Sequence, residues 1–128
     1  MEWRFESAGD VYPSTMHAEI MGLLHEQGAP GSDFDAAELI YGELISNVIR
    51  HAHGPIIIRL DWSSEFPTLS VTEGGHYVPP PIGLPSDPFA ESGRGLFIVK
   101  TLAKDLQLID ASGRSAVCAT LPVRRRDA

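Results

Sequence analysis

At 128 residues the chain is sized for one domain with a core of its own, and its 43% hydrophobic content is that of an ordinary soluble globular protein. A formal net charge of −7 makes a general nucleic-acid binder a poor expectation, and no apolar run approaches the ~20 residues that cross a bilayer. Cys118 is the only cysteine, so no internal disulfide can form, in keeping with a reducing cytoplasm.

Trp3, Phe5 and Ser7 alternate with Glu2, Arg4 and Glu6, which predicts a short strand with one buried face. The same opening lacks the basic start and apolar core of a secretory signal. Pro13-Ser14 opens a helix with Ser14 as its N-cap, and Met16, Ile20, Leu23 and Leu24 give that helix an apolar stripe to about Gln27. Gly28-Ala29-Pro30-Gly31 breaks the chain. Ser32 is the expected N-cap of a second helix, with Asp33 and Asp35 in its first turn, where negative charge suits the helix dipole. This helix runs to His51 or Ala52, and Gly54-Pro55 stops it.

Two patterns share the second helix. Leu39, Ile40, Leu44 and Val48 recur as an apolar face requires, whereas Glu43, Asn47 and His51 stand at i, i+4 and i+8 and form a polar row beside it. Fully exposed, that row is a solvated face. Bordering a pocket, it is a carboxylate, an amide and an imidazole aimed at one ligand.

Ile56 to Trp62 reads as a strand with Ile56, Ile58, Leu60 and Trp62 inward, and Ser63 to Pro67 as a hairpin connection. Leu69, Val71 and Glu73 alternate with Ser70 and Thr72 in the antiparallel partner. Glu73 continues the inward face, where a carboxylate is costly to bury without a donor, unless the strand stops at Thr72 and Glu73 turns to solvent. Gly74-Gly75 follows and lets another group approach the backbone closely. Residues 76–92 have no regular period and hold five prolines, a length of loop that is usually functional or mobile. They lead into Ser92-Gly93-Arg94-Gly95 and a helix from Leu96 to Ala103. Glycines at a helix start free N–H groups to face an anion, although many helices begin after glycine for turn reasons alone.

The chain closes with a hairpin, Leu106 to Asp110 and Ala116 to Leu121 around Ser112-Gly113-Arg114. Arg124-Arg125-Arg126 then reads as a solvated basic tail (123–128) or as a contact for an acidic partner. His51 and His53 diverge across a helix end and make a poor metal pair; Ser46 and Ser92 lack a nucleophile-elbow context; Cys118 reads as a small core residue. The expected fold is an α+β two-layer sandwich of about five mostly antiparallel strands, with about three helices on one face.

The Glu43–Asn47 helix, the carboxylate-glycine strand end and the glycine-led helix stand in an order that resembles the gyrase–histidine kinase–MutL ATPase superfamily, with its Bergerat fold, over nearly the whole chain. Within it the chain is most similar to the single-domain bacterial anti-sigma factors that are also serine/threonine protein kinases. The resemblance implies a single histidine-kinase-like ATPase domain over 1–128, with 76–92 as the ATP lid. Glu43-Leu44-Ile45-Ser46-Asn47, followed by His51-Ala52, is similar to the N box, which implies Asn47 as a magnesium ligand, Glu43 as general base or orienter of the acceptor hydroxyl, and His51 as structural. Gly93, Arg94, Gly95 and Leu96 match the second glycine box, whose amides cradle phosphates while Arg94 counters their charge. The first glycine box departs from the pattern Asp-x-Gly-x-Gly. Glu73 stands at the adenine-binding aspartate, one methylene longer, Gly75 at the first glycine, and Tyr77 at the second. The cofactors so implied are ATP and Mg2+. The partners are a sigma factor and an anti-anti-sigma protein, with neither nucleic acid nor membrane involved, in a cytoplasmic switch for which a homodimer is the assembly its relatives suggest. Two other readings stay open: a nucleotide-deficient binding module that sequesters a sigma factor or antagonist, and a histidine-kinase catalytic domain working with a separate phospho-acceptor protein.

Overall fold

The structure is a computed structural model that describes residues 2–6, 14–51, 55–73, 94–111 and 114–126. In chain order they form β1 (Glu2–Glu6), α1 (Ser14–Gln27), α2 (Phe34–His51), β2 (Pro55–Asp61), β3 (Thr68–Glu73), α3 (Arg94–Leu102), β4 (Asp105–Ala111) and β5 (Arg114–Thr120). One sheet holds all five strands in the order β1-β2-β3-β5-β4. Each neighbouring pair is antiparallel.

Register sorts the sheet into two faces. Ile58 stands opposite Val71 and Val71 opposite Val117; Leu60 stands opposite Leu69 and Leu69 opposite Ala119. All of these are buried, in one cluster with Ile20 and Leu24 of α1, Ile40, Tyr41, Leu44 and Val48 of α2, and Leu96 and Val99 of α3. The alternate residues Ile57, Ser70, Thr72, Ala116 and Cys118 are only half-buried. The helices therefore cover one face, as the period-2 and period-3.6 patterns predict.

Three local expectations need correction. Leu39 is 46% exposed, and the buried arc of α2 is Ala37, Ile40, Tyr41, Leu44, Ile45 and Val48. Those six fill the sheet-facing side, and Leu39 falls about 100° away from Ile40 around the helix. The cap of α2 is Asp33, whose Oδ1 accepts the Ala36 N–H at 3.1 Å while its carbonyl accepts that of Ala37. Ser32 instead turns its Oγ to the Arg124 N–H, at 3.2 Å. Finally, α3 already includes Arg94 and Gly95 in its first turn.

Arg124, Arg125 and Arg126 are exposed, as a solvated run would be, yet their segment is bonded into the fold. Val123 is fully buried, and the segment 121–126 bonds on both sides. Toward the α1–α2 connection, the Ala29 N–H donates to the Arg124 carbonyl and the Asp33 N–H to that of Pro122. Toward the β2–β3 connection, the Leu121 N–H donates to the Pro67 carbonyl and the Arg125 N–H to that of Glu65. The Arg126 N–H donates to the Gln27 carbonyl, and its guanidinium reaches the carbonyls of His25 and Gly28 at 3.3–3.4 Å. Cationic donors at a helix C-terminus satisfy its last carbonyls and oppose the negative end of its dipole. Gly28 lies beneath this strap; a Cβ there would stand 2.5 Å from both the Leu24 carbonyl oxygen and Val123 Cγ1.

Candidate functional site

Connectivity gathers the chemistry at the end of the sheet opposite the strap. The last turn of α2 feeds β2, whose Ile56 stands opposite Glu73, the final residue of β3. At the other side of the same layer, α3 runs into β4, whose Asp105 pairs with Thr120, itself paired with Thr68 at the far end of β3. The start of α3 therefore lies toward the Glu73 end, and α3 packs against α2. Asn47 on α2, the end of β3 at Glu73 and the first turn of α3 at Arg94 and Gly95 thus share one end of the fold. Leu96 is buried in the core, so its side chain is not available to a ligand and only its backbone N–H is. Gly75, Gly93, Ala52, His53 and the 76–92 loop lie outside the described residues.

On α2, Leu44 and Val48 anchor the sheet side, which sets Glu43 and Asn47 one turn apart and half-buried at the edge of the core. These two residues are therefore not fully exposed. Asn47 is suited to a hard cation, since its amide oxygen is the ligand type that magnesium prefers. Among the described residues no three His, Cys, Asp or Glu side chains come together as a metal cage. Magnesium at this place would rest on Asn47 and phosphate oxygens, and the first-turn amides of α3, which no helix satisfies internally, suit those phosphates.

Glu43 also belongs to a second feature. An open groove of about 610 Å³ runs between α1 and α2, lined by His17, Asp35, Glu38, Leu39, Gly42, Glu43 and Ser46. His17 forms its α1 wall, with Nε2 3.8 Å from Glu38 Oε1 and its ring edge-on to Tyr41 at 5.2 Å between centroids. Gly42 sits on its floor in the middle of an 18-residue helix, and a Cβ there would meet no described atom within 4 Å. A glycine in a helix interior costs roughly 0.5–1 kcal/mol relative to alanine, so this one is tolerated rather than required by packing. Sequence reasoning on the polar row alone missed the groove. A glycine in the middle of a helix was the available signal; the exposure of Leu39 was visible only in the structure.

No curated protein matches the chain in sequence. Among solved structures, the histidine kinase AdeS of Acinetobacter baumannii has a similar fold, with a TM-score of 0.52 over 95% of this chain and 67% of that one, at 18% identity. The model of the histidine kinase-like ATPase domain matches residues 9–121, and the chain belongs to that family.

Proposed function

We propose that the chain is an ATP-dependent regulatory kinase that phosphorylates a serine or threonine hydroxyl on an anti-anti-sigma protein and silences a sigma factor by binding it. Family membership makes ATP the ligand class. The observation that carries the reading is the convergence of Asn47, the Glu73 strand end and the start of α3 at one end of the sheet. Bound ATP-Mg supplies the activated phosphoryl group. Asn47 would hold the cation, the α3 amides would hold the phosphates, and Glu43 would accept the hydroxyl proton as the new O–P bond forms and ADP leaves. Such catalysis is mostly positioning and charge stabilisation. No described helix is long and apolar enough to cross a membrane.

One feature favours a second reading. Glu73-Gly74-Gly75-His76-Tyr77 places a longer carboxylate and a tyrosine where the superfamily's first glycine box has aspartate and glycine, which suits a binding module without nucleotide. Titration with ATP and ADP in the presence of magnesium separates the two. Saturable binding below millimolar concentration, followed by transfer of label from ATP to a candidate partner, is the result expected of the kinase. Absence of binding at millimolar nucleotide would leave the module.

A further inference from the structure

We propose that the α1–α2 groove is the docking site for a basic, apolar-containing segment of the partner protein, and that Gly42 is bare so that the segment can lie against the helix. The proposal rests on the kinase reading only in naming the occupant as the acceptor of Glu43.

Two rows of α2 make the groove. Asp35, Leu39 and Glu43 stand at i, i+4 and i+8, and Glu38, Gly42 and Ser46 form the parallel row. At 1.5 Å per residue each row spans about 12 Å, the length of a few residues of extended peptide or two turns of helix. The lining is acidic, with Asp35, Glu38 and Glu43 against the single imidazole of His17. Leu39 is one of three exposed large hydrophobic residues among those described, and it sits between the carboxylates. An apolar contact flanked by negative charge selects a segment that pairs leucine-like and lysine- or arginine-like side chains. The chain's own basic run does not supply it, because Arg124 pairs with Glu65 at 2.6 Å and Arg126 is engaged at the end of α1.

Gly42 adds an observation independent of charge. Gly28 is explained by the backbone and side chain that crowd it, whereas the space above Gly42 is open within 4 Å of described atoms. Gly22 of α1 is open in the same way but lies outside the groove, which makes it the matched control. The floor of the groove leads along α2 to Glu43 and, one turn on, to Asn47, so a docked segment would present a neighbouring hydroxyl to the carboxylate.

The test uses the whole chain and a fluorescent amphipathic peptide of leucine and lysine, with a leucine–glutamate peptide of the same length as its counterpart. Anisotropy should show micromolar binding of the lysine peptide alone. Glu38→Lys and Gly42→Gln should each weaken it about tenfold, while Glu26→Lys, an equal charge change on exposed α1 surface, and Gly22→Gln should leave it unchanged. Gly42→Gln should also raise Tm by about 2–4 °C, since glutamine is the better helix former, so its lost binding cannot be assigned to unfolding. Equal binding of both peptides, no binding to the unaltered chain, or loss in the Gly22 and Glu26 variants as well would overturn the proposal. So would self-association that Gly42→Gln abolishes without peptide binding, which would give the groove to a second copy. Nucleotide titration of the same samples keeps the two ideas separable: peptide binding without nucleotide binding sinks the kinase reading, and the converse sinks the groove.

Discussion

The strap end of the sandwich and the Glu73 end are both rich in polar groups, and they use them differently. At the strap end, carbonyls of His25, Gln27, Gly28, Glu65 and Pro67 meet donors from residues 121–126. Those groups hold the helix layer to the sheet layer. At the Glu73 end the elements meet by topology, and what they bring is a carboxamide, a strand end and a helix start. The strap's polar groups are structural because their partners lie inside the fold, whereas those gathered at the Glu73 end are the ones that the proposed function would use.

Substitutions at the two ends should therefore divide cleanly between activity and stability. The largest expected effect is at the site: Asn47→Ala should lower phosphotransfer on the order of a hundredfold or more with Tm nearly unchanged. Full activity in that variant would remove the magnesium assignment. At the strap, Gly28→Ala forces a methyl against the Leu24 carbonyl and Val123. We expect it to destabilise by about 1–3 kcal/mol in urea titration and to leave nucleotide affinity of the folded fraction intact. A wild-type midpoint would show that the strap yields without cost. The smallest effect is at the cap, where Asp33→Ala should cost about 1 kcal/mol and Asp33→Ser should restore most of it. If Ser32→Ala were the more damaging change, the assignment of the cap would be reversed.

Local chemistry made much of the fold legible. Alternation in 56–60 and 68–73 located both strands and their shared inward face, and the Gly54-Pro55 stop put the end of α2 at His51 or Ala52, in agreement with the His51 end of the described helix. The polar row of Glu43 and Asn47 was visible for the same reason. What stayed hidden depends on distant partners. Arg126 bonds to Gly28 across 98 positions and Ser32 to Arg124 across 92, and no window of sequence contains both ends of either contact. Had Arg124 been invisible, Ser32 would still look like the better cap. Leu39 was misjudged on a finer point: periodicity locates an apolar arc, but the six residues that fill it left no room for a seventh at its margin.

The strap has a consequence in time. In synthesis β1 precedes its partner β2, and Glu2 meets Arg59 only 57 residues later. The C-terminal turn of α1 waits longer still, until Arg126 has emerged, 98 positions after Gly28. Contacts of such separation form slowly, because the intervening chain must first give up its freedom. A growing chain would thus carry a first strand with an unpaired edge until β2 has emerged, and a helix α1 with an unfinished end until residues 124–126 follow. The three arginines at 124–126 act as a latch, and the fold closes when they do.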